Sequence, residues 1–148
     1  MAKLVIAEDN PFVAAFLREV VRESGYELCG VAASAAELLE LAERHKPDLA
    51  VIDVRLADGS SGIKAAMALA SRIDVGILFA TASPERVIEP PAPVGAACLR
   101  KPFTGPELIE ALRIVEQIVA TGQPPAEISP KLRLLERAHA PPQPATIR

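Results

Sequence analysis

The sequence contains no tryptophan, one tyrosine and four phenylalanines, so aromatic residues make up only 3% of it. A site that stacks a flavin ring or a row of nucleobases has little to build on. Basic charge is also scarce: 16 Lys and Arg against 19 Asp and Glu give a formal net charge of −3, and no basic face for nucleic acid is expected. Two cysteines and two histidines, none at zinc-ligand spacing, exclude a zinc cluster; His45 and His139 read as isolated surface residues. No apolar run approaches the roughly 18 residues of a membrane span, and no leader-like apolar segment precedes Lys3. The expected location is the cytoplasm, and the expected partners are proteins or small anions, with neither nucleic acid nor membrane among them.

Half of the 148 residues are hydrophobic, enough for one domain core and too few for two. The apolar residues come in short runs that end in charge. Leu49-Ala50-Val51-Ile52 reads as a strand buried on both faces, and it stops at Asp53. Lys3 to Ala7 runs into Glu8-Asp9, and Ala96 to Arg100 runs into Lys101-Pro102. In an open parallel α/β sheet, ligands bind beyond the carboxyl ends of the strands. Three acids and one ammonium are therefore expected at one edge of one sheet.

Between these runs lie helix signals. Asn10-Pro11 supplies an N-cap and a first-turn proline before Phe12, Val13, Phe16, Leu17, Val20 and Val21, a broad apolar stripe that ends at Gly25. Tyr26 to Ala32 reads as an edge strand. The capping box Ser34-Ala35-Ala36-Glu37 opens a second helix with Leu38, Leu39, Leu41 and Ala42 inward. Gly59 to Gly62 leads to a third helix with Ile63, Ala66, Met67 and Ala70 on one face, and Val75 to Ala80 reads as an interior strand ending at Thr81. Pro90, Pro91 and Pro93 limit the next helix, begun near Ser83-Pro84, to one or two turns. A last helix, opened by the capping box Thr104-Gly105-Pro106-Glu107, carries Leu108, Leu112, Val115 and Val119 and ends before Gly122.

Strands and helices that alternate in this way predict a right-handed, doubly wound α/β fold. The expected sheet is parallel and five-stranded, in the flavodoxin-like order 2-1-3-4-5, with a short or irregular fourth helix. That order would put Cys29 and Cys98 on opposite edges, too far apart for a disulfide, so both are expected as buried thiols. Residues 1–121 form the expected domain and 122–148 a Pro-rich tail. A short helix near 130–139, capped by Ser129-Pro130 and carrying Leu132 and Leu135, would need something to pack against.

Acids so close cannot stay unbalanced: two charges roughly 4 Å apart repel by about 4 kcal/mol at an effective dielectric near 20. An open, all-oxygen site suits Mg²⁺ better than zinc. With the Lys101 ammonium and the Thr81 hydroxyl, it forms a cradle for a phosphoryl group.

In Glu8-Asp9, Asp53 within Ile52-Asp53-Val54-Arg55-Leu56, Asp58-Gly59 with Gly62, Thr81-Ala82 and Lys101-Pro102-Phe103, the chain resembles the receiver domain of two-component response regulators. The resemblance spans about residues 3–119. It implies that Asp53 accepts a phosphoryl group from a histidine kinase or phosphotransfer protein. It further implies that Glu8, Asp9, Asp53 and the main-chain carbonyl of Arg55 hold Mg²⁺. Thr81, Ala82 and Lys101 would bind the phosphoryl oxygens, Lys101 being placed by a cis bond to Pro102, and Arg55 and Ser83 would border the site. In this family a switch aromatic usually stands three residues before the lysine, where this chain has Cys98. Phe79-Ala80-Thr81 also resembles the FAT GUY receivers, whereas Ala82-Ser83 departs from their Gly-Tyr.

The resemblance implies a stand-alone regulator that signals through a downstream protein or passes phosphate along a relay, with homodimerisation open. A phosphorylation-independent scaffold is the alternative that Cys98 favours. A haloacid dehalogenase-type phosphatase would want a second aspartate at Arg55, and an FMN binder a hydroxyl-rich first loop in place of Glu8-Asp9-Asn10.

Overall fold

The computed structural model describes residues 2–88, 92 and 94–135, without the Asp58 side chain. Glu89, Pro90, Pro91, Pro93 and His139, together with the 136–139 part of the expected tail helix, lie outside the described residues. In chain order the elements are β1 (Lys3–Ala7), α1 (Pro11–Glu23), β2 (Glu27–Ala32), α2 (Ala35–His45) and β3 (Leu49–Ile52). A 3₁₀ turn (Ala57–Gly59), α3 (Gly62–Ala70), β4 (Gly76–Thr81) and α4 (Glu85–Ile88) follow, then β5 (Ala97–Arg100), α5 (Gly105–Thr121) and β6 (Leu132–Leu134).

The sheet order is β2-β1-β3-β4-β5-β6, with the first five strands parallel and β6 antiparallel to β5. Because strand side chains alternate between faces, the sheet divides two cores. Leu4, Ile6, Leu49, Val51, Leu78, Ala80 and Leu99 meet α1 and α5 on one face. Val5, Ala7, Ala50, Ile52, Ile77, Phe79 and Cys98 meet α2, α3 and α4 on the other. Gly76 lets α5 approach β4, since a Cβ there would lie 2.8 Å from a Val115 methyl. Tyr26, the single tyrosine, packs against the α1/α5 core and donates its hydroxyl proton to Glu116 of α5.

The helix caps form as the sequence predicts. Asn10 Oδ1 accepts from the Phe12 and Val13 amides, Ser34 Oγ from Glu37, and Thr104 and Glu107 close a reciprocal box. α4 has one turn, as expected of the shortened fourth helix.

The inward faces are narrower than the apolar stripes. Phe12 is 85% exposed, and Leu17 and Val21 carry α1's packing instead. Met67 is 44% exposed while Ala65 and Leu69 turn inward, and Val119 is 59% exposed while Ile118 packs. Leu39 and Leu41 are only half-buried, as is Cys29; Cys98 is fully buried, and both thiols are free.

The tail departs most from expectation. Leu132–Leu134 form a strand where a helix is expected, so β5 is not an edge of the sheet. The reason lies in where the leucines go. Leu132 enters the α1/α5 core and Leu135 the opposite one, and a single helix packed on one face could not reach both. Ser129 shapes the entry as a turn, its carbonyl accepting from Leu132 N–H at 3.0 Å.

One close approach ties the fold to the β3 end. A Cβ on Gly62 would lie 1.8 Å from the Asp53 carbonyl oxygen, a backbone atom that cannot swing aside. Gly62→Ala is therefore expected to lose about 2 kcal/mol or more, as clashes in packed sites do. The measurement is the urea midpoint at unchanged m-value.

Candidate functional site

The carboxyl ends of β1, β3, β4 and β5 converge on one point. β1 and β3 are adjacent, with Ala7 opposite Ile52, so the next residues, Glu8 and Asp53, emerge side by side. Asp53 N–H donates to Ala7 O at 2.9 Å and Glu8 N–H to Ala32 O at 2.8 Å, which fixes both backbones. One carboxylate oxygen each from Glu8, Asp9 and Asp53 lies within 4.8 Å of the others. From β5, the Lys101 ammonium reaches Glu8 Oε1 at 2.6 Å and Asp53 Oδ2 at 3.0 Å. The other Glu8 oxygen accepts from Asn10 N–H at 3.1 Å.

Thr81, buried at the end of β4, sits beside this pair: its carbonyl accepts from Lys101 N–H at 3.0 Å. Its hydroxyl oxygen accepts from Ser83 N–H at 3.0 Å, which leaves the hydroxyl proton free to donate elsewhere. Ala82 is exposed and Ser83 half-buried on the same turn. The Lys101-Pro102 peptide is cis. Arg55 follows Asp53 on the loop, its side chain exposed and its backbone bridged to Ser61. Cys98 is set apart, buried between Phe79 of β4 and Arg133 of β6, and burial pushes its thiol up to about 12.

Burial also pushes the Glu8 carboxyl above the ordinary glutamate value, against the pull of Lys101 and the Asn10 amide. At Lys101 burial opposes the charge, but the hydrogen bonds and charges of Glu8 and Asp53 outweigh it and hold the ammonium above the ordinary lysine value. The donor set fits a small hard cation. Magnesium–oxygen bonds of about 2.1 Å place ligand oxygens about 3 to 4.2 Å apart, and three carboxylate oxygens within 4.8 Å of one another need only a small shift to close on one ion.

The sequence motifs identify every polar group at this point, but Phe12, Phe16 and Lys131 escape them. Gly62, named in the motif, acts through a missing Cβ beside Asp53 O. Phe12 and Phe16 flank the site outwardly with Phe103; the Phe16 and Phe103 rings meet at a tilt of 49° with centroids 6.2 Å apart. Their signal was that α1 carries more apolar residues than one buried face accommodates. Lys131 reaches back to the β5–α5 loop from a tail whose motifs point elsewhere.

The Glu8 shift has a measurable sign. Its folded value lies above the unfolded one, so ionised Glu8 costs stability once pH exceeds the raised value, and nothing below the ordinary value of 4.5. Without metal, Glu8→Gln is expected to raise the thermal midpoint at neutral pH. That advantage should vanish as pH falls towards the unfolded value, as paired melting curves across pH would show.

Residues 4–113 match the family model for the response regulator receiver domain. The chain is 38% identical over 145 residues to the transcriptional regulatory protein PdtaR of Mycobacterium tuberculosis, covering 92% of this chain and 70% of that protein. It is 37% identical over 102 residues to the phyllosphere-induced regulator PhyR of Methylorubrum extorquens, covering 68% of this chain but 38% of that one. The solution structure of the receiver domain of Erythrobacter litoralis PhyR superposes with a TM-score of 0.68 at 32% identity, over 86% of this chain and 96% of that one. With the sheet order, the strand-end acids and the lysine between them, these matches show that the chain belongs to the response regulator receiver family, whose members are signalling domains and not enzymes.

Proposed function

We propose that this chain is a phosphoacceptor signalling module in which Asp53 takes a phosphoryl group from a phosphohistidine, and that it acts by protein contact. The supporting observation is the Lys101 ammonium held between Glu8 and Asp53, with Asp9 completing an acidic cluster. Family membership sets aside the phosphatase and flavin readings.

An Asp53 oxygen attacks phosphorus, the P–N bond breaks, and its electron pair stays on the donor imidazole. The product is a mixed anhydride. Phosphoryl transfer of this kind needs alignment and charge neutralisation more than acid–base chemistry. Lys101 is free to turn from Glu8 towards a phosphoryl oxygen, the Thr81 hydroxyl proton is unassigned, and the exposed Ala82 offers its N–H. Glu8, Asp9, Asp53 and the Arg55 carbonyl would hold Mg²⁺, which supplies neutralisation of phosphoryl charge. The exposed Arg55 and the half-buried Ser83 border the approach and would govern water access.

The donor's landing place is supported by a second feature. Phe12, Val13, Phe16, Pro102 and Phe103 line an apolar groove of about 300 Å³ with Lys101 at its end. An apolar surface next to the acceptor suits a helical phosphotransfer partner. Among the described residues no helix is long and apolar enough to cross a membrane, in keeping with the cytoplasmic setting such a donor implies.

Incubation with acetyl phosphate and Mg²⁺ should add one phosphate by intact-mass spectrometry, and Asp53→Asn should abolish it. An unmodified wild-type mass would support the phosphorylation-independent scaffold that Cys98 at the switch position favours. Phe12→Asp is expected to slow transfer from a phosphorylated histidine domain at least tenfold while leaving the acetyl phosphate reaction unchanged.

A further inference from the structure

The β5 edge is covered by the chain's own tail, and the same tail is bound to the loop that carries Lys101. β6 contributes three residues paired as Leu132–Leu99, Arg133–Cys98 and Leu134–Ala97. Beyond the ladder, Arg100 N–H donates to Lys131 O at 3.1 Å and Leu135 N–H to Ala96 O at 3.0 Å. Lys131 then bridges two elements, its ammonium donating to Pro102 O at 3.1 Å and to Glu107 Oε1 at 3.2 Å. Pro102 is the residue after Lys101, whose ammonium lies on Asp53. Three residues thus connect the acidic cluster to the tail: Lys101, Pro102 and Lys131.

The tail's other anchor lies at the opposite end of β5 from Lys101, on the stretch that enters the strand. Leu135 approaches Gly95 on the stretch between α4 and β5; a Cβ on Gly95 would lie 2.6 Å from the Phe79 ring and 3.2 Å from a Leu135 methyl. Phe79 stands two residues before Thr81 on β4. An ammonium that turns to a new ligand therefore pulls on the loop that holds the Lys131 clamp, and a Thr81 hydroxyl that does so pulls on the strand whose Phe79 ring lies near the Leu135 anchor.

We infer that β6 is a displaceable lock on the β5 edge, released when the phosphoacceptor pocket is charged; this rests on the reading of Asp53 as acceptor. The lock suits release. A three-residue strand has few bonds to break, its fit matches the arrangement in which Lys101 lies on Glu8, and its Lys131 clamp requires Pro102 and Glu107 to keep their spacing. Release uncovers the outward backbone groups of β5 centred on Cys98, among them the Arg100 N–H and the Ala96 carbonyl that now pair with the tail, a surface suited to an extended partner segment. In this chain Cys98 stands where the family usually has a switch aromatic, and a tail strand on the same β5 segment carries the signal outward by another route.

Coupling of this kind is reciprocal: a ligand that frees β6 binds more tightly when β6 is already free, by the same factor. The test is hydrogen exchange of the full chain with and without beryllofluoride and Mg²⁺, an aspartyl phosphate mimic. Amide exchange at Arg100 and Leu135, whose N–H groups bond across the β5–β6 boundary, should accelerate at least fivefold when the mimic is bound, with the β1 and β3 amides unchanged. Leu135→Asp, which frees the tail, and Lys131→Gln, which cuts the clamp and leaves the core intact, should each bind the mimic more tightly. The gain in Leu135→Asp should approach the acceleration at β6, and that in Lys131→Gln should lie between none and that factor. Mimic binding with β6 fully protected, or unchanged affinity in Lys131→Gln, would overturn the lock while the acceptor reading stood. Failure of the wild type to bind the mimic at all would remove both.

Discussion

The Lys101 ammonium between Glu8 and Asp53 is the contact on which the rest of the structure turns. Three carboxylates at adjacent strand ends repel one another, and a fold that brings them together needs positive charge in their midst. Lys101 supplies it from β5, two strands away from β3, so the charge balance of the site depends on the register of the whole sheet. Glu8 is nearly closed off from solvent, Lys101 largely so, and each is held by groups from other elements. A site built in this way has its charged groups fixed in place by several elements at once.

The polar half of the site was legible in the sequence for a physical reason. A strand buried on both faces is continuously apolar, so the first charged residue after it marks the sheet's carboxyl edge. Leu49 to Asp53, Lys3 to Asp9 and Ala96 to Lys101 all declare themselves by that change. The helix starts were equally plain, since an N-cap side chain followed by proline or a capping box is a local signal that no tertiary contact has to complete.

What the sequence concealed depends on contacts between distant parts. Leu132 and Leu135 stand three apart, a spacing compatible with a helix; only the open edge of β5 turns them into a strand with one leucine in each core. Met67 and Val119 lie on plausible apolar faces but stay largely in solvent, because packing selects a narrower stripe than periodicity does. Phe12 likewise extends an apolar stripe beyond what the core covers. The closeness of Gly62 to Asp53 O leaves no trace in composition, because the informative feature is an atom that glycine does not have.

Covering β5 moves the sheet's outer boundary to β6, where Arg133 sits exposed at the centre of the last strand. Open strand edges invite unrelated chains to add on, and a cationic side chain there discourages such growth into fibrils. The terminal strand therefore serves colloidal behaviour as well as architecture: a crowded solution of this protein meets a short rim carrying a guanidinium instead of bare β5.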